Sequence, residues 1–452
     1  MMALPEAARA VGGRLVGAPV DFAGVATDSR AIATGDLFVA LKGERFDGHA
    51  YVAQAIHHGA AAALVSRPVT ADVAIPQVVV EDTRLALGRL AAVWRSRFAM
   101  PLVALTGSNG KTTVKEMVAA ILAGHCRDRG AVLATEGNLN NDIGMPLTLL
   151  RLRERHRYAV IEMGMNHAGE IDCLARIAQP TVALVNNAHR AHVGILGSVD
   201  AIARAKGEIY GGLREGGIAL INADDAFAGY WKGLNPGRRI VTFGMREGAD
   251  VRGQVQGGQL RLVTPVDAFA VTLQVAGEHN ARNAIAACAA AFALEVPPHA
   301  IQDGLSAFAG IPGRQQRRLA PGGATVIDDT YNANPDSMQA AANVLAQASG
   351  RRVFVIGDMG ELGEGAARMH AEVGAFAKAL AIDRLLALGE ASREAVRAFG
   401  AGGEHFPDLD ALVAAARKLD APGTTMLVKG SRFMQMERVA EALAPGGDRH
   451  AA

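Results

Sequence analysis

The sequence predicts an α/β protein of three domains, and three observations lead to this prediction. With 452 residues the chain is too long for one ordinary domain, and its length suggests about three. Half of the residues (50%) are apolar, so each domain can bury its own core. From about residue 101 onward, short apolar runs alternate with stretches of helical periodicity, a pattern typical of parallel sheets covered by helices.

Residues 1–85 form the predicted N-terminal domain, a small α/β unit of short strands and polar loops. The apolar run Leu37–Leu41 has the alternation of a half-buried strand. A polar TDSR precedes it at 27–30, and a polar loop follows it at 42–51. A helical pattern at 85–97 leads into the next domain.

Residues 86–311 form the predicted central domain, in which a mostly parallel sheet is covered on both faces. The apolar run Leu102–Leu105 is followed by a glycine-rich loop and then by helical spacing over Thr112–Leu122. Ala159–Ile161 and Val182–Val185 predict further buried strands.

Residues 312–452 form the predicted C-terminal domain, which is Rossmann-like in architecture. The predicted strands are Ala324–Ile327, Val353–Ile356, Arg384–Leu388 and Met426–Val428. The predicted helices are Ser337–Ala346, His370–Leu380 and Leu409–Leu419. This block has no G-x-G-x-x-G pattern, so we predict no dinucleotide there.

Composition excludes several classes of protein. The net charge is +1 and aromatic residues make up 5%, which argues against nucleic acid as a partner. Three cysteines without CxxC spacing argue against a disulfide framework or a thiolate zinc site. The N-terminus lacks a signal-peptide pattern, and the apolar stretch Ala284–Val296 is too short to span a membrane, so it predicts a buried helix. We therefore expect a cytoplasmic monomer that is not inserted in a membrane.

The strongest functional signal is the sequence Thr106-Gly-Ser-Asn-Gly-Lys-Thr-Thr113, between a predicted strand and a predicted helix. Backbone N–H groups at such a turn bind phosphate, while Lys111 adds positive charge and Thr112 an oxygen for Mg²⁺. The strict Walker pattern has glycine where this chain has Leu105, so the loop is a shortened variant. The alternative is a strand–turn–helix with a chance GKT.

Two further groups of residues follow predicted strands. Glu162 ends an apolar strand, where it is either a Mg²⁺ ligand or a solvated strand end, and the sequence favours neither. His192 follows the next strand, and Lys206 lies on a predicted helix. Spacing alone favours a structural histidine and a solvated lysine, but both residues follow strands that border the predicted nucleotide crevice.

Two polar segments open helices later in the chain. Residues 277–283 (GEHNARN) either cap the Ala-rich helix or contact a nucleotide base. Residues 328–335 (DDTYNANP) either face a crevice or form an Asx-rich loop with Pro335 as the first helical residue.

Together these segments resemble the Mur ligases of peptidoglycan synthesis. The motifs that carry the resemblance run in family order from about residue 27 to 432: TDSR, GDLFVALKGERFDGH, TGSNGKTT, EGNLNNDIGMPLTLL, EMGMNHAGEI, ARAKGEIY, GEHNARNA, DDTYNANPDSM and GDMGELG. One segment departs from the family, which often has AHLEGFGS where this chain has AHVGILGS. There Gly194 replaces an acidic residue, while His192 is retained.

The resemblance implies a role for each matching residue. The UDP part of a substrate would be bound by Ser29, Arg30, Lys42, Phe46, Asp47, His49, Asn138 and Asn141. ATP would be bound by Gly107, Ser108, Asn109, Gly110, Lys111, Thr112, Thr113, Asn280, Arg282, Arg314, Asp329, Tyr331 and Asn332. A pair of Mg²⁺ ions would be held by Thr112, Glu162, His192 and Lys206, the last as a carbamate. Lys111, Lys206 and His192 would be the catalytic residues.

The implied activity is ATP-dependent ligation of D-alanyl-D-alanine to UDP-N-acetylmuramoyl-tripeptide through an acyl phosphate, which gives the pentapeptide. Two alternatives stay open. A folate-polyglutamating ligase of the same superfamily shares the loop but should lack the TDSR block. A nucleotide switch that is not a ligase would not need a second βαβ domain with a YNANP loop.

Overall fold

Three large sheets organise the chain, and each is built from one continuous stretch of sequence. The structure is a computed structural model that describes residues 1–44, 46–70 and 75–446. Within these residues, no helix combines the length and the apolarity that crossing a membrane would require.

The N-terminal sheet has five strands in the order β2-β7-β6-β5-β4, and only β2 runs antiparallel to its neighbour. The strands are β1 (Met2–Ala3), β2 (Arg14–Val16), β3 (Asp21–Phe22), β4 (Val25–Ala26), β5 (Leu37–Val39), β6 (Ala62–Val65) and β7 (Gln77–Val79), with β1 and β3 forming a separate ribbon. The helices are α1 (Leu4–Val11), α2 (Val52–His57) and α3 (Thr83–Ser96).

The prediction of a half-buried strand at residue 37 is wrong, because β5 is buried on both faces. Leu37 and Val39 belong to one apolar cluster, whereas Phe38 belongs to another cluster on the opposite face. A central strand of a largely parallel sheet is covered on both sides, and its apolar run is therefore nearly continuous.

The central sheet has nine strands in the order β16-β15-β14-β13-β12-β11-β8-β10-β9. The strands are β8 (Leu102–Thr106), β9 (Val132–Ala134), β10 (Tyr158–Glu162), β11 (Val182–Val185), β12 (Ile218–Asn222), β13 (Arg239–Gly244), β14 (Val251–Gln256), β15 (Gln259–Val263) and β16 (Ala268–Val271). The helices are α4 (Lys111–Cys126), α5 (Gly144–Leu150), α6 (Glu170–Ala178), α7 (Val193–Leu196), α8 (Val199–Gly207), α9 (Ala228–Gly233), α10 (Glu278–Ala293) and α11 (Pro298–Ala307). Because β8 lies between β10 and β11, the loops after these three strands meet at one edge.

The strands β9 and β12–β16 of this sheet were not predicted from the sequence, and the last two are joined to it by antiparallel pairing. β15 pairs antiparallel with β14 and with β16. Gly257 and Gly258 connect β14 to β15 with φ angles of 58° and 80°, as a two-residue hairpin turn requires. The alternation of buried and exposed residues along β15 shows that one face of this extension is solvated.

The C-terminal sheet has six strands in the order β17-β18-β22-β19-β20-β21, and only the edge strand β17 is antiparallel. The strands are β17 (Gln316–Leu319), β18 (Thr325–Asp328), β19 (Arg351–Gly357), β20 (Arg384–Leu388), β21 (Gly403–Phe406) and β22 (Thr424–Lys429). The helices are α12 (Pro335–Ala346), α13 (Ala366–Ala379), α14 (Ser392–Phe399), α15 (Leu409–Arg417) and α16 (Glu437–Leu443). The three-domain α/β fold predicted from the sequence is confirmed.

Candidate active site

The glycine-rich loop joins the end of β8 to the start of α4 and is fixed by the loop that follows β11. The backbone N–H of Ser108 donates to the Asn187 carbonyl over 3.0 Å, and that of Asn109 donates to Asn187 Oδ1 over 2.8 Å. Gly110 has φ 77°, and a Cβ there would lie 2.2 Å from Asn283 Oδ1. Only glycine fits this position, so the loop can curl at the start of α4.

Lys111 is the first residue of α4 and is half-buried. Its Nζ donates a hydrogen bond to the Gly107 carbonyl over 2.7 Å, and this bond links the two ends of the loop. Burial lowers the pKa of the Lys111 ammonium, and the nearby Glu162 carboxylate acts in the opposite direction. The loop therefore presents a cation and a helix N-terminus on the same side, which suits a phosphate group.

Glu162 is buried at the end of β10, with 2% of its surface exposed, so the interpretation as a solvated strand end is wrong. Oε1 accepts a hydrogen bond from Asn140 Nδ2 over 2.8 Å, whereas Oε2 has no hydrogen-bond partner. A buried carboxylate oxygen without a partner is costly unless a cation meets it. The donor chemistry fits Mg²⁺, which prefers carboxylate and hydroxyl oxygens.

The side chains of the described residues do not by themselves form a complete metal site. Within the described residues, no group of three or more histidine, cysteine, aspartate or glutamate side chains is arranged to hold a metal. Mg²⁺ is commonly held by one or two protein ligands together with substrate phosphates, so a sparse set of ligands beside a phosphate loop is the expected arrangement.

His192 and Lys206 come from the segment after β11. His192 Nδ1 lies 2.7 Å from Glu361 Oε2 of the C-terminal sheet's loops. Lys206 lies on α8 and is 1% exposed, so the interpretation as a surface lysine is wrong. Burial, together with the positive charge of Lys111, holds the pKa of Lys206 well below its usual range.

Side chains of the C-terminal domain reach the glycine-rich loop directly. Arg314 donates to Thr112 Oγ1 over 2.8 Å, and its guanidinium lies 4.1 Å from the centre of the Tyr331 ring. Asn334 Nδ2 donates to Asn109 Oδ1 over 2.7 Å. These contacts close one side of the phosphate loop with groups from another sheet.

The segment after β18 serves two purposes. Asp329 forms an ion pair with Lys429 of β22, over 2.7 Å between Oδ2 and Nζ. Asn334 and Ser337 form a capping box, and Pro335 is the first residue of α12. The polar loop thus caps a helix and also faces the crevice, so both interpretations of the sequence apply to it.

The polar side chains at the start of α10 form ion pairs and hydrogen bonds with residues of the same helix and of nearby loops. Arg282 pairs with Asp224 at 2.6 Å and with Glu278 at 2.8 Å. Asn280 Nδ2 donates to the Ala276 carbonyl over 2.7 Å.

A cavity of about 800 Å³ lies between the central and C-terminal sheets. The predicted site residues that line it are Ser108, Asn109, Gly110, Lys111, Thr112, Thr113, Asn138, Glu162, His192, Asn280, Arg282, Arg314, Asp329, Tyr331 and Asn332. Lining residues that the sequence reasoning did not select include Asn140, Asn187, Asp224, Asn283, Asn334 and Lys429. These residues lie at strand ends, in the loops that follow strands, or in the first two turns of helices at this edge, which is a signal that could have found them.

The N-terminal candidates lie outside this cavity lining, and several are engaged within their own domain. Ser29 Oγ donates to Gln54 Oε1 over 2.9 Å. Arg30 folds back on Asp28, with 2.7 Å between the guanidinium and Oδ2.

The remaining candidates for UDP differ in exposure. His49 is buried between Asp47, which lies 2.6 Å from its Nδ1, and the backbone N–H of Ser66, which donates to its Nε2 over 2.8 Å. Lys42 and Phe46 are exposed.

Asn141 is used differently from its neighbour Asn140. Its Oδ1 accepts from the backbone N–H groups of Ile143 and Gly144 over 3.2 and 2.8 Å, and so caps α5. The assignment of Asn141 to the UDP site, with that of Ser29, Arg30, Lys42, Phe46, Asp47, His49 and Asn138, stays a prediction.

Comparison with known proteins agrees with this geometry. The profile described as "Mur ligase middle domain" matches residues 105–291, "Mur ligase, glutamate ligase domain" matches 313–432, and "Mur ligase family, catalytic domain" matches 21–95. The chain belongs to the Mur ligase family. This Mur ligase is 45% identical to the UDP-N-acetylmuramoyl-tripeptide–D-alanyl-D-alanine ligase of Escherichia coli K12, over 96% of each chain.

Solved structures give the same result. A crystal structure of MurF from Acinetobacter baumannii is similar to this Mur ligase with a TM-score of 0.89 and 40% identity, over 97% of this chain and 98% of the other. MurF from Thermotoga maritima, solved in complex with ADP, has a TM-score of 0.80 and 27% identity, over 93% and 96% of the two chains.

Proposed function

We propose that this Mur ligase joins D-alanyl-D-alanine to UDP-N-acetylmuramoyl-tripeptide with ATP, and so makes the pentapeptide precursor of peptidoglycan. The observation that carries the proposal is the cavity in which a phosphate loop faces the unpartnered Glu162 oxygen and side chains from the C-terminal domain. The choice of substrates rests on the relative from Escherichia coli at 45% identity, whose match covers 96% of the chain.

The chemistry follows from what amide synthesis needs. A carboxylate is a poor electrophile, so a peptide carboxylate oxygen attacks the γ-phosphorus of ATP, and ADP leaves. Lys111 and the backbone N–H groups of the loop stabilise the negative charge on the transferred phosphoryl group. The free amine of D-alanyl-D-alanine then attacks the acyl phosphate, loses a proton and displaces phosphate. Arg314 and Asn334 close the site against water, which would otherwise hydrolyse the acyl phosphate.

Thr112, Glu162 and His192, with Lys206 as a carbamate, are the residues that would hold Mg²⁺. The metal, when bound, supplies charge stabilisation for phosphoryl transfer. Burial and the nearby charge of Lys111 lower the pKa of Lys206, which favours the neutral amine that adds to CO₂ with release of one proton. The carbamate carries a negative charge, which suits a residue beside cations better than an ammonium does.

The test is the dependence of phosphate release on the substrates. With ATP and Mg²⁺, we expect release only when both UDP-N-acetylmuramoyl-tripeptide and D-alanyl-D-alanine are present, and comparison of the diaminopimelate and lysine tripeptides identifies the third residue. Release with neither substrate would point to a nucleotide switch. Release with a folate and glutamate would point to the folate-polyglutamating alternative. The monomeric state and cytoplasmic location predicted from the sequence stay predictions.

A further inference from the structure

The C-terminal domain contacts the first residues of the loop that carries His192. The backbone N–H of Arg190 donates to Asp336 Oδ2 over 2.8 Å, and its Nε donates to Oδ1 over 3.1 Å. The same guanidinium donates to Glu372 Oε2 over 2.8 Å. One arginine of the central domain is thus held by acidic residues at the start of α12 and on α13.

Four residues further on, the backbones of the two domains are in contact. The N–H of Gly194 donates to the Glu361 carbonyl over 2.9 Å. A Cβ on Gly194 would lie 2.3 Å from the Gly363 nitrogen and 2.6 Å from the Glu361 oxygen, both of which are backbone atoms. Any side chain at this position would force the two loops apart, so this close approach requires glycine at 194.

His192 lies between these two contacts and meets Glu361 through its side chain. Nδ1 lies 2.7 Å from Glu361 Oε2, which is an ion-pair distance, although the two atoms do not meet at a hydrogen-bonding angle. The ring lines the nucleotide cavity. His192 and Glu361 have φ angles of 63° and 61°, a backbone region that non-glycine residues rarely adopt. Such strained residues persist where surrounding contacts hold them, and they occur often at functional sites.

We propose that Glu361 is a positioning residue for His192, supplied by the C-terminal domain and seated by the glycine at 194. A carboxylate on one ring nitrogen of a histidine fixes the tautomer and orientation of the ring, so that the other nitrogen is ready to bind a metal. The C-terminal domain therefore completes the metal site only when it is docked on the central domain. This inference rests on the proposed role of His192 as a metal ligand.

The test measures Mn²⁺ binding at fixed pH in the presence of a non-hydrolysable ATP analogue. The electron paramagnetic resonance signal of free Mn²⁺ reports how much of the metal is unbound. The relevant site is the one that His192→Ala weakens. We expect Glu361→Ala to weaken the same site about 10–100-fold, as loss of an outer-shell partner does. Glu361→Gln keeps an oxygen that can accept from Nδ1–H, so it should retain part of the affinity.

Two comparisons separate positioning from a general structural role. In the His192→Ala background, Glu361→Ala should have no further effect, because its only route to the metal is gone. Glu364→Gln changes an exposed acid of the same loop and should leave Mn²⁺ affinity unchanged. Gly194→Ala should weaken binding while both side chains remain, whereas Gly229→Ala, with nothing within 4 Å of the added Cβ, should not. Melting without ligand checks that each variant is folded.

Wild-type Mn²⁺ affinity in Glu361→Ala, or an effect that adds to that of His192→Ala, would overturn the proposal. So would wild-type affinity in Gly194→Ala, because the ring would then be held without the close approach of the loops. If His192→Ala itself leaves Mn²⁺ binding unchanged, the positioning role fails together with the metal role. Substrate-dependent phosphate release by the wild type is measured separately, so a failure of the positioning role can be distinguished from a failure of the proposed ligase activity.

Discussion

The residues around the central cavity and the candidate residues of the N-terminal domain differ in whether their polar groups already have hydrogen-bond partners. At the cavity, Glu162 keeps a buried oxygen without a hydrogen-bond partner. In the N-terminal domain, Ser29 and His49 already have their hydrogen bonds, and Arg30 is paired with Asp28. Unmet polar groups mark a place that a ligand completes, whereas satisfied ones shape a loop and must exchange partners before they can bind.

The largest expected effect is at the phosphate loop. Lys111→Ala should lower kcat by at least on the order of 10²–10³-fold, because the charge that faces the transferred phosphoryl group is lost. Melting without ligand should stay close to the wild type, since Lys111 is half-buried and belongs to no apolar cluster of the described residues. Wild-type turnover in a coupled ADP assay would mean that ATP binds elsewhere.

Lys206→Ala should lower kcat nearly as much as Lys111→Ala does. Its activity should also be partly restored by an added small molecule. If the functional group is a carbamate, a short carboxylic acid can enter the space left by the side chain and supply the missing oxygens. We expect acetate or formate to restore part of the activity of Lys206→Ala but none of that of Lys111→Ala. Removing dissolved CO₂ should lower wild-type activity. A bare ammonium in high-resolution density, with metal and nucleotide bound, would contradict this prediction.

A smaller effect is expected for Arg30→Ala. If Arg30 leaves Asp28 to bind the UDP phosphates, its loss should raise KM for the UDP-peptide about tenfold or more and leave KM for ATP nearly unchanged. Arg14→Ala, which removes another exposed arginine of the same domain, is the matched control. Equal effects of Arg30→Ala on both substrates would indicate a folding defect and remove the distinction between the two regions.

The smallest effect is expected at Asn141. Because its side chain caps α5, Asn141→Ala should lower the free energy of unfolding by about 1 kcal/mol and change neither KM. Asn140→Ala should instead lower kcat, because it removes the hydrogen bond that holds Glu162. Denaturant titration and steady-state kinetics of both variants check this contrast. A raised KM for the UDP-peptide in Asn141→Ala would contradict this prediction and would support a role of Asn141 in substrate binding.

Sequence patterns could predict the fold where an element is buried on both faces or follows a glycine loop. The runs at β8 and β11 and the helical spacing of α4 reflect burial that the chain encodes locally. Burial alone was not sufficient, since the buried strand β12 was not predicted. The extension β14–β16 was missed because its strands are only partly buried, although the Gly257-Gly258 turn was a local signal.

The candidate site was predictable to the extent that strand ends of one parallel sheet converge. Glu162 and the loop at Lys111 illustrate this, since both follow neighbouring strands. The contacts of Arg190 with Asp336 and of His192 with Glu361 were not predictable. They join residues more than 140 positions apart in different domains, and no periodicity or spacing in the sequence encodes how two domains dock.

The order of strands in the C-terminal sheet has a consequence for how the protein is made. β22 is the last strand in the sequence, yet it lies between β18 and β19 in the interior of the sheet. During synthesis the two earlier sheets can form as their strands leave the ribosome, because each uses one continuous stretch that is already complete. The C-terminal sheet must wait for Thr424–Lys429, so a ribosome that stalls shortly before this strand would leave β18 and β19 with unpaired inner edges.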